Sequence, residues 1–165
     1  MKWIMRSTSI ALMVMSLAFF SACSSSKEAK SIRKSISGNW TLQTVDVEGI
    51  NSKFKAKVFN EADFNCFIGS NWNLVANNGT GTYTLASGAA GCDPVTRNIR
   101  WSIYEPEGAD KEFQFKRLDD KKNPLDDNNG FRLKVGTVTD NSMQLRSAIT
   151  FEGKPGTFIY NFVKR

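Results

Sequence analysis

Three cysteines are the residues of this chain best suited to covalent chemistry: Cys23, Cys66 and Cys92. The 165 residues include no histidine. Its absence disfavours histidine bases, histidine-activated serine or cysteine nucleophiles, and most zinc or copper sites. Acid pairs offer no substitute, because Glu105 and Glu107 flank a proline in a predicted turn and paired acids need burial to separate their pKa values. We therefore expect a non-enzymatic protein with no catalytic residue and no cofactor.

The segment before Cys23 has the features of a secretory signal. Lys2 and Arg6 come first, an apolar stretch follows over 10–20, and small residues precede the cysteine. The apolar stretch is shorter than the roughly 20 residues that a membrane-spanning helix needs. A cleaved signal peptide is favoured over the alternative, a transmembrane anchor.

The run Phe20-Ser21-Ala22-Cys23 resembles the bacterial lipobox, although that motif prefers leucine where Phe20 stands. The resemblance implies that 1–22 is a cleaved signal peptide and that fatty acyl chains such as palmitate modify Cys23. The protein is then expected to be a lipoprotein anchored in the cell outer membrane. Both the periplasmic face and the cell surface remain open.

Removal of 1–22 leaves a chain that suits one domain. Residues 23–36 are rich in serine and lysine, lack strand periodicity, and are interpreted as a lipidated flexible tether. Its basic residues could contact anionic head groups or a partner, or could simply be solvated; they are Lys27, Lys30, Arg33 and Lys34. The net charge of +6 is spread among acids, so nucleic acid is not an expected partner.

Residues 37–165 alternate between apolar and polar side chains in short runs separated by Gly, Asn, Asp and Pro. Such runs predict about eight antiparallel strands with one wet and one buried face, closed into an up-and-down barrel of the all-β class. A bulge is expected before Val45, and 50–70 is predicted to be a long, partly irregular connection with a helical turn near 60–64. The predicted strands are 39–47, 71–76, 81–86, 98–104, 112–118, 131–139, 142–151 and 157–164.

Asn78-Gly79 is a strong signal for a tight hairpin. A two-residue loop there pairs Leu74 with Tyr83 and Trp72 with Leu85. The same register extends outward to place Cys66 opposite Gly91, next to Cys92. In an oxidising compartment a Cys66–Cys92 disulfide is predicted, with two buried free thiols as the alternative.

Bulky aromatic residues supply the expected lining of the barrel. They could form an aromatic-walled pocket for one small apolar ligand or fill the core completely, and eight strands stand at the border between the two. A mostly filled core is favoured. The candidates are Trp72, Tyr83, Trp101, Phe113, Phe115 and Tyr160.

The acidic stretch around Gly130 does not encode a known cation site. If Gly130 were the glycine of an EF-hand, Leu125 would stand at the first ligand position and Gly136 at the bidentate glutamate position. Both fail, so this stretch is interpreted as an acidic turn, with a weak irregular calcium site as the alternative, and no metal-ligating residue is assigned.

Gly38-Asn39-Trp40 at the start of the first strand resembles the lipocalin signature, in which an arginine of the last strand packs on the tryptophan. The whole of 38–165 resembles the lipocalin-like lipoproteins common in Bacteroidetes. The resemblance implies a small lipocalin-type barrel on a lipid tether and assigns no ligand. Its further motifs are 66–72 (CFIGSNW), 78–83 (NGTGTY), 97–101 (RNIRW), 113–116 (FQFK) and 130–133 (GFRL).

Two functions follow as hypotheses. The first is an outer-membrane lipoprotein that binds a small apolar or amphipathic molecule inside the barrel. The second is a filled, non-enzymatic barrel that serves as an accessory or structural subunit on another envelope protein, or as a hydrolase inhibitor. The space inside the barrel distinguishes the two.

Overall fold

The computed structural model describes residues 26–50, 54–85 and 91–165. Cys23 and the predicted signal peptide 1–22 lie outside the described residues. The helices are α1 (Lys27–Ile36) and two short 3-10 helices, Phe64–Phe67 and Asp126–Asn128. The strands are β1 (Gly38–Glu48), β2 (Lys57–Val58), β3 (Ala62–Asp63), β4 (Asn71–Val75), β5 (Thr80–Leu85), β6 (Val95–Tyr104), β7 (Glu112–Leu118), β8 (Phe131–Val138), β9 (Ser142–Phe151) and β10 (Lys154–Lys164).

Eight strands form a closed antiparallel barrel in the order β1-β10-β9-β8-β7-β6-β5-β4, and β1 pairs with β4 to complete the circle. The predicted all-β, eight-stranded up-and-down barrel is confirmed. Closure pairs every strand on both sides and removes the free edges that promote aggregation. β2 and β3 pair only with each other, as a small hairpin within the connection from β1 to β4.

The bulge expected in β1 is present, since the pairing with β10 shifts between Leu42 and Thr44. The shift returns Val45 to the buried face.

The predicted register of the β4–β5 hairpin is wrong. Trp72 lies opposite Tyr83, and Leu74 lies opposite Gly81. The loop has four residues, 76–79, because the Gly79 N–H donates to the Val75 carbonyl at 3.1 Å. Gly79 has a φ of 66°, which glycine adopts at little cost.

Residues 27–36 form the helix α1, whereas the sequence analysis predicts a flexible tether there. The Ser26 hydroxyl caps the helix by accepting a hydrogen bond from the Ala29 N–H at 3.0 Å. Ala29, Ile32 and Ile36 recur at helical spacing, and Ala29 and Ile36 are buried. This apolar stripe explains why the segment folds. None of the helices in the described residues is long and apolar enough to span a membrane.

α1 covers one end of the barrel, which we call the helix end. The Trp40 indole N–H donates to the Ile36 carbonyl at 2.7 Å. Arg33 donates to the Ala76 carbonyl at 2.8 Å, and its guanidinium lies 5.1 Å from the centre of the Trp101 ring. The helix therefore belongs to the core rather than to a linker.

We expect Ile36→Ala to lower the free energy of unfolding by ~3 kcal/mol, because Ile36 is fully buried and its removal leaves a cavity. Urea denaturation followed by tryptophan fluorescence measures the change. Ser35→Ala, at an exposed neighbouring position, should change stability by no more than about 0.5 kcal/mol. Equal effects of the two substitutions would show that α1 is only a tether.

Candidate binding site inside the barrel

The six aromatic residues predicted to line the barrel are all buried. Their exposed fractions do not exceed 4%, and their rings contact one another or neighbouring aromatic rings. Trp72 stacks on Tyr83 at 4.9 Å between ring centres. These side chains provide an aromatic wall.

The centre of the barrel is occupied by Phe59, which sequence analysis did not identify. Phe59 lies at the tip of the β2–β3 hairpin and is 8% exposed. Five aromatic rings surround it at 5.1 to 6.3 Å between centres: Phe67, Trp72, Phe115, Phe131 and Tyr160. A segment that is not part of the barrel wall thus supplies the central side chain of the interior.

Phe59 reaches this position through an unfavourable backbone conformation. Phe59 and Asn60 both have a φ of 52°, and the Glu61 N–H closes the turn on the Val58 carbonyl at 3.0 Å. A left-handed conformation costs a bulky residue on the order of 1–2 kcal/mol. Contacts with the surrounding rings offset that cost.

Two other phenylalanines of the same connection extend the filling. Phe64 packs on Phe158 of β10 at 5.0 Å, and Phe54 lies 4.7 Å from Phe151 of β9. Residues 54–67 of this connection therefore cover the end of the barrel opposite α1, which we call the hairpin end.

The Glu61 carboxylate, two residues after Phe59, lies at the hairpin end and accepts four hydrogen bonds. Tyr83 donates to Oε2 at 2.7 Å, and Arg97 donates to both oxygens at 2.8 and 2.9 Å. Arg117 donates to Oε2 at 2.7 Å. All the donors come from the barrel wall, whereas the acceptor belongs to the hairpin.

A second carboxylate completes the cluster. Arg117, which is 7% exposed, donates two hydrogen bonds to Asp126 at 2.7 and 2.8 Å. Asn60 of the hairpin also donates to Asp126 at 3.1 Å. Two arginines thus balance two acids, which is the condition under which buried charges are tolerated.

The cluster alters the acidity of its members. Burial raises the pKa of Glu61, but the hydrogen bonds from Arg97, Tyr83 and Arg117 outweigh burial and lower the pKa to about 2. Burial, together with the neighbouring Glu61 carboxylate, raises the pKa of the Tyr83 phenol above its usual value. The hydrogen bonds from Arg117 lower the pKa of Asp126. At neutral pH this is a network of two charged arginines, two charged carboxylates and a neutral phenol.

The sequence pattern indicates that two residues of this charge cluster, Arg97 and Arg117, face the interior of the barrel. Arg97 shares the inward parity of Ile99 and Trp101 on β6, and Arg117 shares that of Phe113 and Phe115 on β7. A charged residue on the buried face of a strand needs a partner. No local pattern indicates that Glu61 is that partner.

The Cys66–Cys92 disulfide is present, with the two Cα atoms 5.4 Å apart, and the predicted pair is confirmed. The error in the predicted β4–β5 register did not affect the predicted cysteine pair, because Cys66 lies on a 3-10 helix before β4. Backbone hydrogen bonds of Gly69 and Ser70 with Leu42 fix the same end of the connection.

The residues of the Gly-x-Trp signature lie at the helix end. Gly38 has a φ of 132°, and a side chain there would collide with Lys164. Trp40 is fully buried. The ammonium group of Lys164 lies 5.1 Å from the Trp40 ring centre, in the place where the resemblance implies an arginine. Arg165 instead donates to the Asn71 side chain at 3.0 Å.

The outside of the barrel carries a shallow groove of about 760 Å³ over β7, β8 and β9. Arg132, Lys134 and Arg146 line it beside Glu112 and Asp110. Arg132 lies over the Tyr104 ring at 3.9 Å. In the described part of the chain, no cluster of three or more Cys, Asp or Glu side chains is arranged to hold a metal ion.

Comparisons of the chain with protein-family models, with curated proteins and with solved structures found no match. The site must therefore be interpreted from its own geometry.

Ionisation of Glu61 should stabilise the fold by about 3 kcal/mol at neutral pH, because its pKa falls from 4.5 to about 2 on folding. This contribution is complete above pH 4.5 and is lost as the pH falls from there towards 2. Urea denaturation of the wild type and of Glu61→Gln across this range measures it. The wild type should lose about 3 kcal/mol more than the variant, and parallel curves would refute the assignment.

Proposed function

We propose that this protein is a lipocalin-like lipoprotein of the outer membrane that binds a small apolar or amphipathic molecule inside its barrel. The observation that carries the proposal is the position of Phe59. The aromatic wall surrounds a centre that a separate hairpin fills, so withdrawal of that hairpin would leave an apolar space for a ligand.

The attachment of the hairpin supports its withdrawal. Among the described residues, no backbone hydrogen bond joins 54–64 to a barrel strand. Side chains alone hold the hairpin, through the aromatic contacts of Phe59 and the hydrogen bonds of Asn60 and Glu61. The connection is fixed at its ends, by the burial of Ile50 and by the Cys66–Cys92 disulfide. The intervening residues can leave while the barrel stays closed.

Phe59→Ala should open the interior to the neutral fluorescent probe N-phenyl-1-naphthylamine. Removal of the central ring leaves a cavity lined by Trp72, and buried apolar cavities of this kind bind aromatic molecules. Energy transfer from tryptophan to the probe in the wild type, measured in the same lipid, gives the contribution of probe dissolved in the lipid, so the increase over it reports binding within the barrel. We expect transfer to rise at least severalfold over the wild type, and octanol to displace the probe.

Tyr104→Ala is the matched control, because it removes an aromatic ring that packs on Arg132 at the outer surface. It should leave energy transfer unchanged. Absence of probe binding by a folded Phe59→Ala protein would exclude a binding function for the interior and would favour a filled barrel that docks on another envelope protein.

The position of α1 bears on how the proposed lipid anchor holds the barrel. Only two residues, both serine, stand between Cys23 and Ser26, so the chain spans about 11 Å at most there. Lys27, Lys30 and Lys34 are exposed on the same helix. In the proposed arrangement the helix end lies near the lipid surface, where these lysines face anionic head groups, and the hairpin end points away.

Cys23→Ala should abolish metabolic labelling of the protein with palmitate, since its thiol is the proposed acylation site. Labelling and membrane fractionation of cells that produce the full chain measure this. Cys66→Ala, which removes a disulfide cysteine, should retain the label. Label retained by Cys23→Ala would contradict lipid anchoring at this residue.

A further inference from the structure

The hairpin brings to the barrel the two groups of an amphipathic anion. Phe59 supplies an apolar group at the centre of the aromatic wall, and Glu61 supplies a carboxylate at the hairpin end. Only Asn60 separates the two residues in the chain, so their side chains enter the barrel together. The side chains of the hairpin therefore resemble, in their chemistry, the kind of molecule that the interior accommodates.

The receptor for the carboxylate is built into the wall. Tyr83 and Arg97 are direct partners across β5 and β6, and Arg117 extends from neighbouring β7. Their four hydrogen bonds to Glu61 measure 2.7 to 2.9 Å, as charge-assisted bonds do. These donors do not depend on the hairpin for their place in the sheet.

The charge of the receptor selects among anions. Without Glu61, the two guanidinium groups of Arg97 and Arg117 face the single carboxylate of Asp126, which Arg117 holds by two bonds. One unit of positive charge remains, with a phenol beside it. That residual charge matches a monoanion, whereas a doubly charged phosphate would leave uncompensated negative charge in a largely buried site.

The space behind the receptor is apolar. The Tyr83 ring stacks on Trp72, and beyond it are the rings that surround Phe59. Phe54 and Phe64 belong to the same connection as Phe59, so their departure with the hairpin would lengthen the apolar space. A headgroup at Arg97 and Arg117 would thus be followed by room for a hydrocarbon chain.

We propose that the barrel binds a single-chain amphiphile with a monoanionic carboxylate, such as a long-chain fatty acid. The ligand takes the place that Phe59 and Glu61 occupy. This inference rests on the proposed binding function and specifies its ligand class. The hairpin then competes with the ligand for the same space. The apparent affinity for the ligand equals the intrinsic affinity multiplied by the fraction of molecules whose hairpin is withdrawn.

The test uses the full chain with its lipid anchor in phosphatidylcholine nanodiscs and dodecanoate labelled at its carboxyl carbon. Beside two guanidinium groups the bound carboxylate should keep its charge when the pH falls from about 8 to about 5, whereas dodecanoate in the bilayer takes up a proton. Nuclear magnetic resonance of the labelled carbon therefore separates bound ligand from ligand in the lipid. Dodecanol and dodecyl phosphate, tested as competitors, provide the neutral and dianionic comparisons.

Glu61→Gln should raise the affinity for dodecanoate about tenfold, because it weakens the competitor while leaving the receptor intact. Arg97→Gln removes two of the four hydrogen bonds to Glu61 and so weakens the competitor for both ligands alike. It should therefore lower the ratio of the dodecanoate affinity to the dodecanol affinity about tenfold or more. Glu105→Gln is the matched control, since it removes a carboxylate paired with Lys111 at the other end of the barrel. It should have no effect on either ligand.

The outcomes separate this inference from the function on which it rests. Equal binding of dodecanol and dodecanoate, tighter binding of dodecyl phosphate, or an Arg97→Gln protein with an unchanged ratio of dodecanoate to dodecanol affinity would overturn the carboxylate assignment and leave a binding barrel. If neither charged nor neutral probes enter even the Phe59→Ala barrel, both proposals fail. Should Glu61→Gln not fold, the ratio of dodecanoate to dodecanol affinity in Arg97→Gln, compared with that in the wild type, decides alone.

Discussion

Eight strands that close into a barrel enclose a space that must be filled, and in this protein Phe59 occupies its centre. Wall side chains alone stand at the limit of what can fill such a barrel. The protein adds a segment from the β1–β4 connection, and Phe59 takes an unfavourable backbone conformation to reach the surrounding rings. The burial of the hairpin, the charge cluster beside it and the covered end of the barrel all depend on this insertion.

The charge cluster follows from the same insertion. Arg97 and Arg117 face inward from the wall, where an unpaired guanidinium group would lose its hydration without compensation. Glu61 enters with Phe59 and supplies one of the two carboxylates they need. Apolar filling and charge pairing are thus delivered by one hairpin, and a molecule that replaced it would have to provide both.

The two ends of the barrel are closed in different ways. At the helix end, α1 is joined to the wall through Ile36, Trp40 and Arg33, with a backbone carbonyl or a buried side chain in each contact. At the hairpin end the contacts of 54–64 with the wall are made by side chains. The hairpin end is therefore the end at which a ligand would enter and leave in the proposed binding function.

Local pattern was sufficient for the strands, since alternation of side chains along 98–104 or 131–139 determines which face is buried whatever the neighbours are. The cysteine pair could also be predicted, because only two thiols remain if Cys23 carries the proposed lipid anchor. The register at Trp72 and Tyr83 could not, because a loop of two or four residues around Gly79 depends on hydrogen bonds that span it. The same holds for α1, because its three apolar residues stabilise a helix only when they pack against Trp40 and the barrel end.

The sequence by itself determined a closed antiparallel barrel with an aromatic interior. Only the tertiary structure decided that Phe59 fills it and that Glu61 meets Arg97 and Arg117, because no local periodicity encodes contacts between such separate elements. Glu61, for example, lies 36 and 56 positions away in the chain from its two arginines.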